Sequence, residues 1–525
     1  MNYLKVGKAT HLTGKDRRWY RFFEILPGAL SFSTLFVLII LSYFKPVWVA
    51  FFIIAFDVYW LLIVIYLAIY LIAAYRKLKK NSAIDWSTRC HLLAEGKIQE
   101  KIATDSLAKQ GKTWRDLWQL IVLPNYNESA DIIASALDSL LQDGFPPTQM
   151  IVVLAMEERA GQAAYDKAEE IKKRFADKFA HLFITFHPDG IEGELKGKGA
   201  NQSWAIRQVK KDLLDANNFN YDNILVSVFD VDTMVKPGYF FALSYRFLTV
   251  SNPYRASYQP IPVYHNNLWE APFFSRVAAA SNTFWQMMMQ IREEQLVTYS
   301  SHSMTFKALV EIGFWSTNMV SEDSRIFWHC LLHYRGEYRV EPLYFPVSMD
   351  ITFDRNFWQT AKSLYKQQRR WAWGAENVPY LMFNTMKLWK EIDRRKLIDH
   401  IAVQIYGFHS WATNALIIAV IGWMPMLLGG ERFNSTVLSG NLPAITQTLM
   451  NIAMIGLVLS AIISTLLLPK RPKKYSVIKS IRMVLEWIFV PFTIIFFGSI
   501  PCLDAQWRLL RGKYMGFWVT PKSRS

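Results

Sequence analysis

Long apolar stretches flank a central region in which short apolar runs alternate with amphipathic ones. Near the N-terminus the apolar stretches are residues 28–44 and 47–75. Each is long enough, at about 1.5 Å per residue, to cross a hydrocarbon core of roughly 30 Å. Basic residues lie on both outer flanks and no small-residue cleavage site follows. We therefore predict a membrane hairpin with both ends in the cytoplasm, not a signal peptide.

In the central region the pattern is that of alternating strands and helices. Strand-like runs lie at residues 120–123, 150–154, 182–186 and 224–229, and helical patterns at residues 130–141 and 165–179. This alternation predicts an α/β domain with a largely parallel sheet. Ligands bind such sheets at the carboxyl ends of the strands, where residues 124–128, Glu157 and residues 230–232 fall. The polar residues 85–116 are predicted to be helical and to lead into this domain.

After the central region the pattern returns to membrane segments. Residues 357–389 are crowded with aromatic and basic side chains, which predicts helices lying on the membrane surface. Three apolar stretches follow, at residues 401–428, 442–468 and 481–500. The basic loop between the last two and the basic tail from Arg508 cannot both be cytoplasmic if all three stretches span. Because Pro491 and Pro501 interrupt the last stretch, we expect it to be re-entrant or interfacial, with four full spans and a cytoplasmic C-terminus.

Composition agrees with a membrane protein. The chain has 525 residues, of which 52% are hydrophobic and 19% charged, too apolar for an average soluble enzyme. Much of the net charge of +16 lies in short runs beside apolar stretches, with no continuous basic stripe, which argues against a nucleic-acid binder. The three cysteines are widely spaced and predict neither a disulfide framework nor a metal-ligand pair. A bound metal would therefore need oxygen ligands.

Three short motifs follow one another in a fixed order. Asp230-Val231-Asp232 gives D-x-D, Glu322-Asp323 gives E-D, and Gln367-Gln368-Arg369-Arg370-Trp371 gives Q-x-x-R-W. This order between hydrophobic segments resembles the membrane-embedded family 2 glycosyltransferases, such as the cellulose, chitin and hyaluronan synthases and ceramide glucosyltransferase. The resemblance covers about residues 115–375. It implies an α/β GT-A (Rossmann-like) catalytic domain combined with α-helical transmembrane and interfacial helices, which uses a nucleotide-diphospho-sugar and Mg²⁺ or Mn²⁺.

The resemblance assigns the metal and donor contacts to the D-x-D motif. It gives Asp232 the metal contact and Asp230 a nucleotide or donor-sugar contact, with Asp230 also near the metal. Two like charges just past an apolar strand are costly unless they share a cation, and Mg²⁺ or Mn²⁺ with substrate phosphate oxygens meets that need. The alternative interpretation is a solvated turn after a strand, a common place for Asp.

The E-D motif corresponds to the catalytic base. By the resemblance Asp323 takes the proton of a sugar hydroxyl, which needs a carboxylate within hydrogen-bond reach of the acceptor, and Glu322 orients it. The alternative is helix capping, since Ser321 followed by two acids is also a good helix start. Both interpretations are compatible, because a base at a helix N-terminus is held rigidly.

The Q-x-x-R-W motif is expected to bind both substrates. The resemblance assigns Arg370 to the diphosphate, whose oxygens match the planar guanidinium, and Gln367 and Trp371 to the acceptor sugar, whose C–H-rich face packs on an aromatic ring. An interfacial aromatic-basic helix is the alternative for this segment.

Weaker matches concern the nucleotide. Residues 124–128 resemble a P-x-Y-N-E turn, in which Tyr126 and Glu128 contact the base. The family usually has an Asp after its second strand, and this chain has Glu157 there. Lys198, in a segment similar to K-A-G-N, is expected to face the donor phosphates.

The C-terminal tail carries one more match. Phe517-Trp518-Val519-Thr520-Pro521-Lys522 fits F-x-V-T-x-K, the gating-loop pattern of cellulose synthase. The resemblance implies that Thr520 and Lys522 face the diphosphate, which requires a cytoplasmic C-terminus. A solvated tail is the alternative.

Together these features predict an inverting glycosyltransferase of a bacterial inner membrane with a cytoplasmic catalytic domain, which extends a polysaccharide processively from a nucleotide-sugar, with a UDP-sugar favoured. The alternatives are a non-processive transferase acting on a lipid or polyprenyl phosphate and a catalytically silent membrane scaffold. The predicted parts are a transmembrane hairpin (1–80), a connector (81–114), a GT-A domain (115–350), interfacial helices (351–400), C-terminal membrane helices (401–508) and a gating-like tail (509–525).

Overall fold

A computed structural model describes residues 3–98 and 100–521. The central domain is built on one sheet of eight strands in the order β3-β2-β1-β4-β7-β6-β8-β5. The strands are β1 (Trp118–Pro124), β2 (Met150–Glu157), β3 (His181–His187), β4 (Ile224–Val228), β5 (Met234–Val235), β6 (Ala256–Val263), β7 (Ser303–Thr305) and β8 (Arg339–Ser348). All four strands expected from the sequence are present, with boundaries shifted by a few residues.

The sheet is wholly parallel from β3 to β4 and mixed beyond β4. β1 pairs in parallel with β2 and β4, and β2 with β3. β7 then joins β4 and β6 antiparallel, and β5 pairs antiparallel with β8, which itself runs parallel to β6. The expectation of a largely parallel sheet is thus corrected to a mixed one. Periodicity did not reveal the additional strands, because β5 and β7 have only two and three residues and prolines interrupt β6 and β8. The expected α/β class, with long apolar helices added to it, is confirmed.

Helices cover both faces of the sheet, which explains the nearly continuous apolar character of β2, whose eight residues are all buried. The helices of this part are Ala130–Leu141, Gln162–Phe175, Lys198–Val209, Tyr239–Thr249, Phe273–Ile291, Phe306–Ile312 and Glu322–His333. Residues 85–116 are less helical than expected. The helix Trp86–Ala94, capped by Asp85, is followed mainly by short turns.

The flanking regions are helical. The N-terminal pair is Gly14–Phe44 and Pro46–Ser82. Later helices of eight or more residues are Phe357–Ala372, Asn377–Lys387, Arg394–Ala419, Val437–Leu467, Val477–Leu485 and Ile500–Leu510, and the shorter ones are Met424–Leu428, Gly430–Asn434 and Val490–Ile494. Among the described residues, four helical runs are long and apolar enough to cross a membrane, namely Gly14–Phe44, Pro46–Ser82, Val437–Leu467 and Val477–Leu510.

The break falls in a different C-terminal stretch from the one expected. Arg394–Ala419 and Ile421–Leu428 pass the same criterion only together, and they meet at a bend of 42°. The run Val477–Leu510, expected to be re-entrant or interfacial because of its prolines, is long and apolar enough to span. Pro491 and Pro501 each lie in the first turn of a helical piece, where the missing N–H loses no hydrogen bond.

Candidate active site

Asp230 comes two residues after the end of β4, at the carboxyl edge of the parallel half of the sheet. Its Oδ1 lies 2.7 Å from Lys198 Nζ, and its Oδ2 accepts a hydrogen bond of 2.9 Å from Ser300 Oγ. Lys198 begins the helix Lys198–Val209. The solvated-turn interpretation of the D-x-D motif does not describe Asp230, which is bound on both oxygens inside the domain.

Lys198 also reaches the E-D motif. Its Nζ lies 3.0 and 2.9 Å from the two carboxylate oxygens of Asp323. Burial lowers the pKa of Lys198, but the charges of Asp230 and Asp323 outweigh it and hold the pKa above its usual value. A protonated lysine therefore joins two motifs that are far apart in the sequence.

Asp232 is completely buried. Its Oδ2 accepts a hydrogen bond of 2.8 Å from the backbone N–H of Asp350, and its carbonyl oxygen accepts one of 2.9 Å from Asn266 Nδ2. Neither Asp350 nor Asn266 was identified from the sequence. Both follow strands of the mixed half of the sheet, β8 and β6, whose ends the periodicity did not locate.

In the part of the chain that the structure describes, no group of three or more His, Cys, Asp or Glu side chains could hold a metal ion. The available donors are the carboxylates of Asp230 and Asp232. Such a donor set fits Mg²⁺ or Mn²⁺ only if substrate phosphate oxygens supply further ligands, which is how these ions commonly bind.

Glu322 is buried directly beside Asp323. Burial, and after it the charge of Asp323, raise the pKa of Glu322 above its usual value. Gly199 lies against it, since a Cβ there would be 3.1 Å from Glu322 Cβ. Glu322 is therefore enclosed and favoured in its neutral form.

The loop before the E-D motif is held by a residue that sequence reasoning missed. Glu376 Oε1 accepts hydrogen bonds from the Ser321 backbone N–H at 2.9 Å and from Ser321 Oγ at 2.7 Å, and its Oε2 accepts one of 2.8 Å from Trp373 Nε1. Ser321 makes no side-chain cap to its own helix, so the capping alternative is not observed. In the sequence, Glu376 shows only as an acidic residue six positions after Arg370.

The Q-x-x-R-W motif lies near the end of the helix Phe357–Ala372. Gln367 is buried and accepts a hydrogen bond of 2.7 Å from Thr352 Oγ1. Arg370 stacks its guanidinium 4.8 Å from the Phe517 ring, and its Nε is buried without a hydrogen-bond partner among the described residues. Trp371 is partly exposed, so its ring can meet a ligand.

The C-terminal segment crosses this site. Phe517 packs on the residue before Lys198, because a Cβ on Gly197 would lie 2.6 Å from Phe517 Cγ. Thr520 is buried, and its hydroxyl has no hydrogen-bond partner within the described ranges. Lys522 lies outside the described residues. The unpaired Arg370 Nε and Thr520 Oγ1 are the kind of buried polar atoms that a bound ligand would satisfy.

The residues expected to bind the nucleobase of the donor lie near the carboxyl ends of β1 and β2. The Tyr126 ring lies 4.1 Å from the guanidinium of Arg159, which forms an ion pair with Glu157. Glu128 turns inward instead, and its Oε2 accepts the backbone N–H groups of Tyr126 and Asn127 at 3.1 and 3.2 Å. The sequence did not point to Arg159. A cavity beside it is lined by Glu157, Arg159, His187, Asp189, Glu194 and Lys196.

Comparison with known proteins agrees with this arrangement. The family model described as Glycosyl transferase family group 2 matches residues 225–468, which contain all three motifs. Poly-beta-1,6-N-acetyl-D-glucosamine synthases of Staphylococcus aureus, among them those of strains COL and N315, are 38% identical over 85 residues. That match spans 15% of this chain and only 18% of the length of these relatives.

Two solved structures are similar at low identity. The mannosyltransferase PcManGT from Pyrobaculum calidifontis, in complex with GDP-Man and Mn²⁺, shares 12% identity with a TM-score of 0.39 and covers 75% of this chain and 98% of that one. Residues 1–349 of S. aureus TarS, in complex with UDP-GlcNAc, share 12% identity with a TM-score of 0.33 and cover 67% of this chain and 91% of that one. Both TM-scores are low, so we base no inference on these two structures.

Proposed function

We propose that this chain, a family 2 glycosyltransferase by its motifs and by the match at residues 225–468, transfers a sugar with inversion from a nucleotide-diphospho-sugar to a growing polysaccharide. The observation that carries the proposal is the position of Lys198. Its ammonium lies 2.7 Å from Asp230 and 2.9 Å from Asp323, so one cation joins the donor-binding motif to the motif of the base. Transfer requires these two functions side by side.

Three groups are suited to bind the donor diphosphate. Lys198 is protonated, Arg370 offers a planar guanidinium with an unsatisfied Nε, and Thr520 offers a buried hydroxyl. Asp232 and Asp230 would hold Mg²⁺ or Mn²⁺ together with the diphosphate, and the ion would offset charge that develops on the leaving nucleotide. Lys522 belongs to the same proposed set by its place in the tail motif.

Asp323 acts as the general base. Its carboxylate is held on the helix Glu322–His333, with Glu376 fixing the preceding loop. A neighbouring Glu322 in its neutral form adds no second negative charge to the site and leaves Asp323 as the group that takes the proton of the acceptor hydroxyl. When the donor phosphates attract Lys198, its hold on Asp323 weakens and the base becomes available.

The acceptor sugar packs on Trp371, at the end of the same helix as Arg370. The ring is partly exposed, and a pyranose face can stack on it. Gln367, fixed by its contact with Thr352, provides a polar edge for hydroxyl groups. The part of the donor site that binds the nucleobase is proposed to consist of Tyr126, Glu157 and Glu128. Glu128 contributes indirectly, because it holds the turn that carries Tyr126.

We favour a polysaccharide product, made processively, over a glycolipid. The relatives that share 38% identity are named as synthases of a polysaccharide, although the shared segment is short. The tail motif, with Phe517 on the Arg370 guanidinium and Thr520 buried, adds support. Long apolar helices integrate the chain in a membrane, and we propose a bacterial inner membrane with the catalytic domain in the cytoplasm.

A donor panel tests this proposal. Purified full-length protein in lipid nanodiscs is incubated with UDP- and GDP-sugars and Mg²⁺ or Mn²⁺, and both nucleotide release and product size are measured. We expect one UDP-sugar to give a high-molecular-mass product. Nucleotide release that gives a glycosylated lipid and no polymer would favour the lipid acceptor. If no donor gives more nucleotide release than an Asp323→Asn control, transferase activity is refuted.

A further inference from the structure

A basic and apolar surface lies at residues 470–488, which comprise the loop after the run Val437–Leu467 and the first part of the run Val477–Leu510, and we call it the 470–488 surface. It begins with an exposed loop and continues into the helix Val477–Leu485 and the turn Glu486–Phe489. It has six cationic side chains, Lys470, Arg471, Lys473, Lys474, Lys479 and Arg482.

The helical part of this surface also exposes large aliphatic side chains along one face. Ile478, Ile481, Leu485 and Ile488 are 74%, 56%, 67% and 71% exposed. Their spacing of three or four residues places them on the same side, while Met483 and Trp487 are buried against the protein. A helix with an apolar outer face and basic flanks is suited to the boundary between lipid tails and headgroups.

Few of these cations are neutralised within the protein. Lys474 Nζ lies 3.1 Å from Glu270, and Arg482 Nε lies 3.6 Å from Glu486, a carboxylate already bound by Arg276. Lys470, Lys473 and Lys479 form no ion pair with a carboxylate in the described ranges. The surface therefore carries an excess of positive charge directly beside its lipid-compatible face, and anionic headgroups are the complementary partner.

This surface is fastened to the catalytic domain. Tyr475 donates a hydrogen bond of 2.8 Å to Glu270 Oε1, and its ring stacks on Trp269 with centroids 5.7 Å apart. At the other end, Arg276 Nε lies 3.0 Å from Glu486 Oε2 in a buried ion pair. Both the Tyr475–Glu270 hydrogen bond and the Arg276–Glu486 ion pair involve the segment of residues 266–276, which follows β6.

The same segment holds the D-x-D motif. Asn266 Nδ2 donates to the Asp232 carbonyl oxygen and to Asp350 Oδ1, each at 2.9 Å. Asp350 in turn donates its backbone N–H to Asp232 Oδ2. A continuous set of contacts thus runs from the 470–488 surface, through residues 266–276, to the carboxylate proposed to bind the metal.

We propose that the 470–488 surface binds anionic phospholipid headgroups and that this binding orders residues 266–276, so that Asp232 is positioned and turnover increases. Zwitterionic lipids lack the net charge that this surface attracts. The effect on turnover rests on the proposed transferase function, whereas lipid binding does not.

The test compares full-length protein in nanodiscs of phosphatidylcholine alone and of phosphatidylcholine with phosphatidylglycerol. We expect turnover to rise by roughly fivefold or more with phosphatidylglycerol, and native mass spectrometry to show retained phosphatidylglycerol. The variant K470Q/K473Q/K479Q should lose both effects but match the wild type in phosphatidylcholine alone. The control K172Q/K173Q/K178Q removes the same charge from exposed positions around the helix Gln162–Phe175 and should behave like the wild type.

Equal turnover of the wild type in both lipids, or an equal response of the test variant and the control, would overturn the proposal. Equal retention of both lipids by the wild type would do the same, since it would indicate a general bilayer contact. If phosphatidylglycerol is retained selectively but no donor is consumed in either lipid, the transferase function fails while the lipid site stands.

Discussion

Lys198 and Asp323 are 125 residues apart in the chain, yet the lysine ammonium lies within 3.0 Å of both carboxylate oxygens of Asp323. This pairing occupies both oxygens of the proposed base, so an acceptor hydroxyl can reach the carboxylate only when the lysine contact loosens. Donor phosphates offer Lys198 a stronger partner, since a diphosphate concentrates more negative charge than one carboxylate. We therefore expect the donor to bind before the acceptor is activated, which links base availability to donor binding.

Replacing the base should separate binding from chemistry. We expect Asp323→Asn to lower kcat by on the order of 10²-fold or more while nucleotide affinity stays nearly unchanged, because only the proton acceptor is removed. Turnover and UDP binding by calorimetry provide the check. A variant that loses donor affinity but keeps kcat would show that Asp323 is misassigned.

Replacing Lys198 should act mainly on the donor. A charge-assisted contact to phosphate is worth about 1.5–3 kcal/mol, so Lys198→Met should raise the donor KM by roughly 10- to 100-fold. Lys210→Met is the matched control, because Lys210 follows the same helix and pairs with Asp215 at the surface. Similar kinetics for the two variants would remove Lys198 from the donor site.

Activity should require a divalent cation. Chelation should abolish transfer, and Mg²⁺ or Mn²⁺ should restore it in the wild type but poorly in Asp232→Asn. Since the described residues include no cluster of three metal-ligating side chains, tight metal binding should be seen only with nucleotide present. Calorimetry with metal alone and with metal plus UDP distinguishes the cases, and full activity after thorough chelation would exclude the metal role.

The tail should contribute to catalysis and little to stability. Truncation after Tyr514 should lower donor affinity or turnover by roughly 10- to 100-fold with a small change in Tm, because it removes the buried Thr520 hydroxyl and the Phe517 contact with Arg370. Gly197→Ala should have a similar effect, since its Cβ would displace Phe517.

Two comparisons make the tail prediction specific. Thr520→Val should weaken donor binding while Thr520→Ser should not, because only valine removes the hydroxyl at similar volume. Gly197→Ala should add no further loss in the truncated protein. Wild-type kinetics for the truncated enzyme would reject the gating role and weaken the preference for a polysaccharide product.

Stability should depend on the protonation of Glu322. Burial, and then the charge of Asp323, raise its pKa to about 8, so between its usual value and this one the folded protein holds a proton that the unfolded chain releases. Stability from this proton is present at low pH and is lost as the pH rises through the folded pKa. Glu322→Gln should therefore show a smaller fall in Tm between about pH 5 and 8.5 than the wild type.

The matched control is Glu337→Gln, at an exposed position, which should keep the wild-type dependence. At neutral pH, Glu322→Gln should retain turnover within about tenfold, because glutamine resembles the neutral acid. A Tm profile identical to that of the wild type would mean that Glu322 is ionised in the folded protein.

Local pattern was sufficient where one element comprises a whole apolar or periodic run. β1, β2, β3 and β4, the helix Ala130–Leu141 and the N-terminal hairpin could be predicted because their residues alternate or continue with a fixed period. The mixed half of the sheet could not be predicted, since β5 and β7 have only two and three residues and prolines interrupt β6 and β8. Prolines alone did not locate the bent membrane segment, because a proline in a first helical turn costs no hydrogen bond.

The sequence by itself determined which chemical groups the site contains, because D-x-D, E-D and Q-x-x-R-W are contiguous and their residue types suit phosphate, proton and sugar. Only the tertiary structure decided their partners. The contacts of Lys198 with Asp323, Glu376 with Ser321, and Asn266 with Asp232 join residues 34 to 125 positions apart. No local period encodes such pairs, since they form only when the packing of strands and helices brings their ends together.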